Sequence, residues 1–382
     1  MIRHLLPALG AALFLMGCAS ITRLPAPPAE VTEELPVLGL SNARFWPDVP
    51  HGAAAEEVRN AVTRRGPRQE VHLLALSGGG DNGAFGAGLM VGWTERGDRP
   101  RFDVVTGISA GALIAPFAFL GSNYDGRLAE VFTAVAPTDV LLLRRFTLPF
   151  QILFGQALAD TSPLYNLIAR HADEAMLAAI AEEYRQGRLL FIGTTNLDVQ
   201  RPVVWNIGAI AASGHPRALE LFRAILLASA SIPGAFPPVM ISAEFGGRRF
   251  EEMHVDGGAA TQVFLYPPEL DPPAQPGLRR VVHVVRNGKL VMEAETTTPG
   301  LFSIARRSAS TLLHFSGIGD IQRIRLLAER DGFDFRLAHI ARGFDHPRAE
   351  AFDTAYMRAL FAHGQQVGRT GEGWVARTSR QP

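Results

Sequence analysis

Three short segments hold groups whose types and spacing suit attack on a carbonyl. Gly107-Ile108-Ser109-Ala110-Gly111 follows the apolar run 102–106 and precedes the small, apolar run 112–120, so a serine stands where a buried strand must turn into a helix. Glycines on both sides make room for a strained turn in which a Cβ would clash, and such a turn pushes the hydroxyl outward. A serine hydroxyl is mostly protonated at neutral pH and needs a base. Asp256 is the candidate, because it ends the run 250–255 and Gly257-Gly258 let the chain leave without crowding it. A carboxylate is a weak base in water, so this one requires partial burial, which raises its pKa toward the working range. The third segment, Gly78-Gly79-Gly80-Asp81-Asn82-Gly83, follows the apolar run 71–76. Consecutive glycines between a strand and a helix turn their N–H groups toward one point, where the positive end of the helix adds to the field. Such a cradle takes a phosphate, or the oxyanion that develops on an attacked ester carbonyl.

Each segment alone has other readings. The serine turn is also a loop of small residues, and Asp-Gly-Gly is also a simple hairpin or βα turn. Gly78, Gly80 and Gly83 match a dinucleotide fingerprint, with Asp98 or Asp103 near where a ribose-binding acid belongs. A serine turn one βα unit later favours the oxyanion reading. The order serine, acid, histidine is that of the α/β-hydrolases, and His283, His314, His339 and His363 all follow Asp256. None of them sits in a comparably marked turn. His283 falls inside an apparent strand, and alternation points His254 away from its immediate neighbours. The histidines make no metal-binding pattern, and the chemistry is expected to need no metal and no cofactor.

The elements that position these groups follow from the apolar periodicity. Strands are expected at 71–76, 102–106, 189–194, 203–207, 250–255 and 280–285, and helices at 53–65, 83–96, 112–120 and 217–230. Strands alternating with helices indicate an α/β sheet covered on both faces. Beyond residue 286 the pattern is mainly helical, notably at 301–315 and 320–330. Residues 19–69, with Pro25, Pro27, Pro28 and Pro36, read as an extended spacer ending in a short polar helix.

The 382 residues balance 37 lysines and arginines against 37 acids, which gives no sign of nucleic-acid binding. Cys18 is the only cysteine, so disulfides within the chain and thiolate metal clusters are excluded. It follows a polar start, Arg3-His4, and an apolar stretch, 5–16, too short to span a membrane comfortably. Leu15-Met16-Gly17-Cys18 resembles the bacterial lipobox, which implies cleavage before Cys18 and lipidation of its thiol. With Ala19 and Ser20 next, that resemblance implies a protein anchored in the cell envelope, at an outer membrane facing the periplasm.

The glycine loop, Gly-Ile-Ser-Ala-Gly and Asp-Gly-Gly, in this order and separation, resemble the patatin-like phospholipases, as do Ala228-Ser229-Ala230-Ser231-Ile232-Pro233 and Phe236-Pro237-Pro238. The resemblance implies a three-layer sheet flanked by helices and a serine–aspartate dyad without a histidine, acting on acyl esters of lipids. Carried over, Ser109 is the nucleophile, Asp256 the base, and the amides around Gly78, Gly79 and Gly80 the oxyanion hole. Gly83, Gly107, Gly111, Gly257 and Gly258 are motif glycines. The family usually has a basic residue where this chain has Asn82. The implied organisation is a leader at 1–17, a lipidated lead-in at 18–70, a catalytic domain at 71–285 and a helical region at 286–382. The segment 140–159, rich in Leu, Phe and Ile and broken by Arg144 and Arg145, reads as a lid touching acyl chains or as a buried helix. Membrane lipids or other acyl esters are the expected partners. Two rival readings are an α/β-hydrolase-type esterase with a Ser-Asp-His triad and a non-catalytic envelope lipoprotein that binds lipid.

Overall fold

The computed structural model describes residues 23–48, 52–140, 142–143, 159–266, 277–292 and 294–376. The leader with Cys18, the arginines at 144 and 145, and the proline-rich stretch 267–276 lie outside the described residues. Ten strands form one mixed sheet: β1 (Arg44–Phe45), β2 (Glu70–Leu76), β3 (Val104–Ile108), β4 (Leu189–Asn196), β5 (Arg201–Asn206), β6 (Val239–Phe245), β7 (Arg248–Asp256), β8 (Arg279–Arg286), β9 (Asp334–His339) and β10 (Val375–Ala376). Their order is β1-β5-β4-β3-β2-β8-β9-β10, and the β6–β7 hairpin joins through β4. The centre, β4-β3-β2-β8-β9, is parallel. Strands buried on both faces must be apolar on both, which is why β2 and β8 read as near-continuous Val and Leu.

Alternation along β2 divides the core. Leu74 and Leu76 pack under α2 (Gly83–Arg96) and α3 (Ala110–Leu120), followed on that side by α4 (Asp125–Thr133), α5 (Ser162–His171), α6 (Glu174–Arg185), α7 (Ile207–Ala212) and α8 (Ala218–Ser229). Leu73 and Ala75 face the other way, with Val282 and Val284, onto Ile321, Ile324 and Ala328 of α9 (Leu301–Arg330). The first helix, α1 (Gly52–Arg65), covers Phe45, Leu189 and Phe191 through Ala61. The result is an α/β fold of a sheet between two helical layers.

Three regions differ from the sequence reading. Residues 23–48 do not hang free: Leu35, Val37 and Trp46 are buried, and β1 pairs antiparallel with β5 (Arg44↔Trp205, Phe45↔Val204). Few apolar residues suggested a spacer, but those few are the ones that dock. The region after 286 adds strands as well as helices, since β9 continues the parallel sheet from β8. The stretches 301–315 and 320–330 are one helix, α9, unbroken by Gly317 and Gly319.

The last helix, α10 (Thr354–Thr370), packs backbone to backbone on α2. A Cβ at Gly88 or Gly92 would overlap the carbonyls of Phe361 and Gln365, and one at Gly364 would overlap that of Phe85. The glycines that weaken α2 as a helix are what admit this neighbour.

Candidate active site

Register alone brings the serine and the aspartate together. Ile108, the last residue of β3, pairs with Gly193 of β4, and the next residue of β4, Thr194, pairs with Asp256 at the end of β7. Ser109 is the single residue between β3 and α3, with φ 55° and ψ −125°, a conformation that L-residues adopt only under strain. The flanking glycines are required: a Cβ at Gly111 would enter the Leu76 carbonyl, and one at Gly107 the Gly111 carbonyl. The Ser109 N–H donates to Ser229 Oγ (3.0 Å), which donates to the Gly193 carbonyl (2.7 Å). Two residues on, the Ser231 carbonyl accepts the Asp256 N–H (2.9 Å). The stretch Ala228–Ile232 therefore braces both candidate residues from one helix end.

Asp256 is 4 % exposed. Its Oδ1 accepts the Gly258 N–H at 2.7 Å, and its Oδ2 is buried without a close hydrogen-bond partner. Burial pushes the carboxyl up to about 7, against the opposing pull of the neighbouring Ser109 hydroxyl and the Gly258 amide. Ser109 thus stands beside the carboxylate without being locked to it, as is common for catalytic pairs before substrate tightens them.

The glycine loop needs one correction. The Gly78 N–H donates to the Gln262 carbonyl (3.0 Å), so it is not free to hold an oxyanion. Gly79 and Gly80 remain: neither amide has a protein acceptor among the described residues. Gly80, at φ 59°, borders open space in a cavity of about 50 Å³ that also touches Ser109. Leu113, Leu164, Phe236 and Phe352 are among its apolar walls. A second, larger apolar cavity of about 330 Å³ abuts Ile108, Phe191 and Leu327 and reaches neither Ser109 nor Asp256.

Gln262 is a residue that sequence reasoning missed. Its carbonyl holds Gly78, its Nε2 donates to the Gly258 carbonyl (2.8 Å), and its own N–H is held by the buried Asp320 of α9 (2.7 Å). It ties the glycine loop to the aspartate turn. No motif marks it.

The histidines are engaged elsewhere. His254 bonds to Thr194 Oγ1 (3.0 Å) and Glu252 (3.3 Å), and burial lowers its pKa. His283 lies 3.2 Å from His72 between Trp93 and Trp374, pushed well below the usual histidine range by burial. No histidine bonds to Ser109 or Asp256 among the described residues. Asp103 and Asp98, the acids a dinucleotide site would need, hold Arg65 with the His72 amide and Trp93 with Arg96 instead.

The family model described as patatin-like phospholipase matches residues 74–266, half of the chain. The chain belongs to the patatin-like phospholipase family. It is accordingly a lipid acyl hydrolase with lipid or ester substrates. No curated protein matches the sequence. Among solved structures, VipD from Legionella pneumophila is 13% identical, at a TM-score of 0.37, with 81% of this chain and 68% of that one covered. Human GIVD cytosolic phospholipase A2 is 12% identical, at 0.38, covering 82% and 60%. The type III effector ExoU is 16% identical, at 0.27, covering 80% and 53%. Likenesses of this size carry no argument about function.

Asn82, where the resemblance implies a basic residue, has an Oδ1 that accepts the Tyr356 hydroxyl of α10 (2.7 Å). A cation reaches the neighbouring residue from elsewhere. Arg348 pairs with Asp81 at 2.9 Å, and the same carboxylate accepts the Phe352 N–H at 3.0 Å. Burial raises the Asp81 pKa, and Arg348 opposes the rise. The C-terminal segment thus fastens to the glycine loop and sets Phe352 in the wall of the Ser109 cavity.

The strand that delivers Asp256 is held by a buried ion pair. Arg44 of β1 bonds to both carboxylate oxygens of Glu252 and to the Thr32 carbonyl. Burial raises the Glu252 carboxyl, but His254 and Arg44 outweigh it and hold it at about 2.

Proposed function

We propose that the chain is a serine esterase of phospholipase A or lysophospholipase type that works through Ser109 and Asp256. Asp256 takes the proton of the Ser109 hydroxyl as Oγ attacks the ester carbonyl. The amides of Gly79 and Gly80 stabilise the oxyanion, and the protonated Asp256 returns its proton to the departing alcohol oxygen. Water, deprotonated by Asp256, then attacks the acyl-enzyme, and the proton passes back to Ser109 as the fatty acid leaves. The observation that carries this reading is the Asp256 carboxyl, buried beside a strained serine and raised to about 7, where a carboxylate is basic enough to act. The apolar walls of the Ser109 cavity support an acyl group as the part bound.

The test is labelling. A fluorophosphonate should modify Ser109 and nothing else in the chain, and Ser109→Ala should lose both the label and ester turnover, by about four orders of magnitude or more. Normal turnover by Ser109→Ala, or a label on another residue, refutes the dyad.

The lipobox resemblance at Leu15-Met16-Gly17-Cys18 supports a second part of the reading, a protein lipidated on Cys18 and held in a bacterial envelope, at the outer membrane facing the periplasm. Metabolic labelling with a fatty acid should mark the chain and fail with Cys18→Ser.

A further inference from the structure

Two of the four non-glycine residues with positive φ among the described residues, Ser109 at 55° and Phe352 at 61°, line the same cavity. A bulky residue in the left-handed region is strained and persists only where its surroundings hold it there. At Phe352 those surroundings are explicit. Its N–H donates to Asp81 Oδ2 (3.0 Å), and Arg348 pairs with the same carboxylate (2.9 Å). The carboxylate of the next residue, Asp353, accepts the Ala349, Ala355 and Tyr356 N–H groups at 3.0, 2.9 and 3.1 Å, which ties the turn to the start of α10. Glycine would suit this backbone better, so the phenyl ring is kept against the preference of its own chain.

The cavity that this ring walls is small, about 50 Å³. Each water-sized group needs roughly 10–15 Å³ of free space, so about four of them fit, the length of a butanoyl chain. Leu113, Phe132 and Leu164, walls on α3, α4 and α5, belong to or pack on the main core and cannot yield without repacking it. Phe352 stands on the short turn before α10 and is only half-buried. The larger apolar cavity does not reach Ser109, so it offers no room to a chain carried by that serine. An acyl group longer than about four carbons would have to displace the ring or lie against water.

We propose that Phe352 determines acyl-chain length, its ring limiting the Ser109 cavity to short acyl groups of about four carbons. This deepens the esterase reading and rests on it, since attack at Ser109 is what places the acyl group. The substrate class is then an ester of a short-chain acid, and the residue that selects it lies outside the stretch 74–266 matched by the family model. Its anchor, Asp81, directly follows Gly80, so the wall of the acyl cavity and the oxyanion amide are fixed to one loop.

The test measures kcat/KM of the full chain on p-nitrophenyl acetate, butanoate and octanoate. The parent should favour butanoate. Phe352→Gly removes the ring and relieves the strained φ, so the fold is retained. Its octanoate-to-butanoate ratio should rise about tenfold or more, at about fourfold for each methylene newly buried. Phe352→Leu should raise that ratio less, and Phe352→Trp should lower the butanoate-to-acetate ratio several-fold. Each ratio is taken within one protein, so a general loss of activity cancels and merely structural damage leaves it unmoved. Ser109→Ala, run alongside, tests the dyad by itself: turnover that survives there refutes the nucleophile, whereas the chain-length ratios judge Phe352. Equal octanoate-to-butanoate ratios in the parent, Phe352→Gly and Phe352→Leu overturn the proposal, as does a parent that prefers octanoate.

Discussion

Asp256→Asn should change two measurements that share one cause. Burial holds the Asp256 carboxyl at about 7 in the folded chain, against 3.8 when exposed. An acid with a raised folded pKa favours the native state only while it is protonated. Below the unfolded value the native state incurs no penalty. Between that value and 7 the native state binds one proton more than the unfolded, and stability falls by about 1.4 kcal/mol per pH unit. Above 7 the full loss, about 4 kcal/mol from a rise of 3.8 to about 7, is in place. Asparagine keeps the shape and carries no charge, so it does not incur this loss. Urea unfolding of both proteins at pH 5 and pH 8 should show the advantage of Asp256→Asn widening by about 3 kcal/mol. Constant differences, such as an altered hydrogen bond to Gly258, cancel in that comparison. In the unsubstituted protein the same carboxyl should be roughly one tenth ionised at pH 6 and nine tenths at pH 8, so kcat/KM for a soluble ester, followed by pH-stat, should rise about tenfold. A gap that does not widen, or a rate flat from pH 6 to pH 8, refutes the reasoning. Either result would mean that the carboxyl is not desolvated.

Other substitutions test the supports. Arg44→Ala leaves the buried Glu252 with His254, at 3.3 Å, as its remaining side-chain partner, and should destabilise the protein by about 3–5 kcal/mol in urea unfolding while removing nothing that touches substrate. Replacing His283, His314, His339 or His363 by glutamine, one at a time, should leave kcat/KM on a soluble ester within about tenfold, whereas a triad histidine would lose about 10⁴. Gln262→Ala removes the Nε2 bond to Gly258, so kcat should drop about tenfold with KM little changed, because the positions of the loop and the aspartate shift and the acyl cavity does not.

The candidate site was legible because its constraints are local. A strained turn needs glycine at Gly107 and Gly111, and Gly257-Gly258 free the space around Asp256, so the backbone requirement is written where the chemistry is. The same holds for the strand–helix alternation that gives the central sheet. What escaped is what depends on distant partners. That Gly78 spends its amide on Gln262, or that Arg44 meets Glu252 across 208 residues, has no signature near either end. The helical pattern was read as two stretches, 301–315 and 320–330, yet the Gly317 gap is filled by the Arg286 guanidinium, and the helix runs on. Prolines made 19–69 look like a spacer, although proline only stiffens a chain and says nothing about where it lies. The strand β9 was hidden within a stretch judged by its helical neighbours.

The stretch matched by the family model stops at residue 266, ahead of β8 and α10. A fragment cut there would lose the strand that pairs with β2 and the helix whose backbone fills the grooves at Gly88 and Gly92, exposing a raw sheet edge and the glycine face of α2. The smallest unit able to work is therefore larger than its recognisable signature. Anyone trimming this protein for expression, or grafting its motifs onto another scaffold, would have to carry along a tail that no motif advertises.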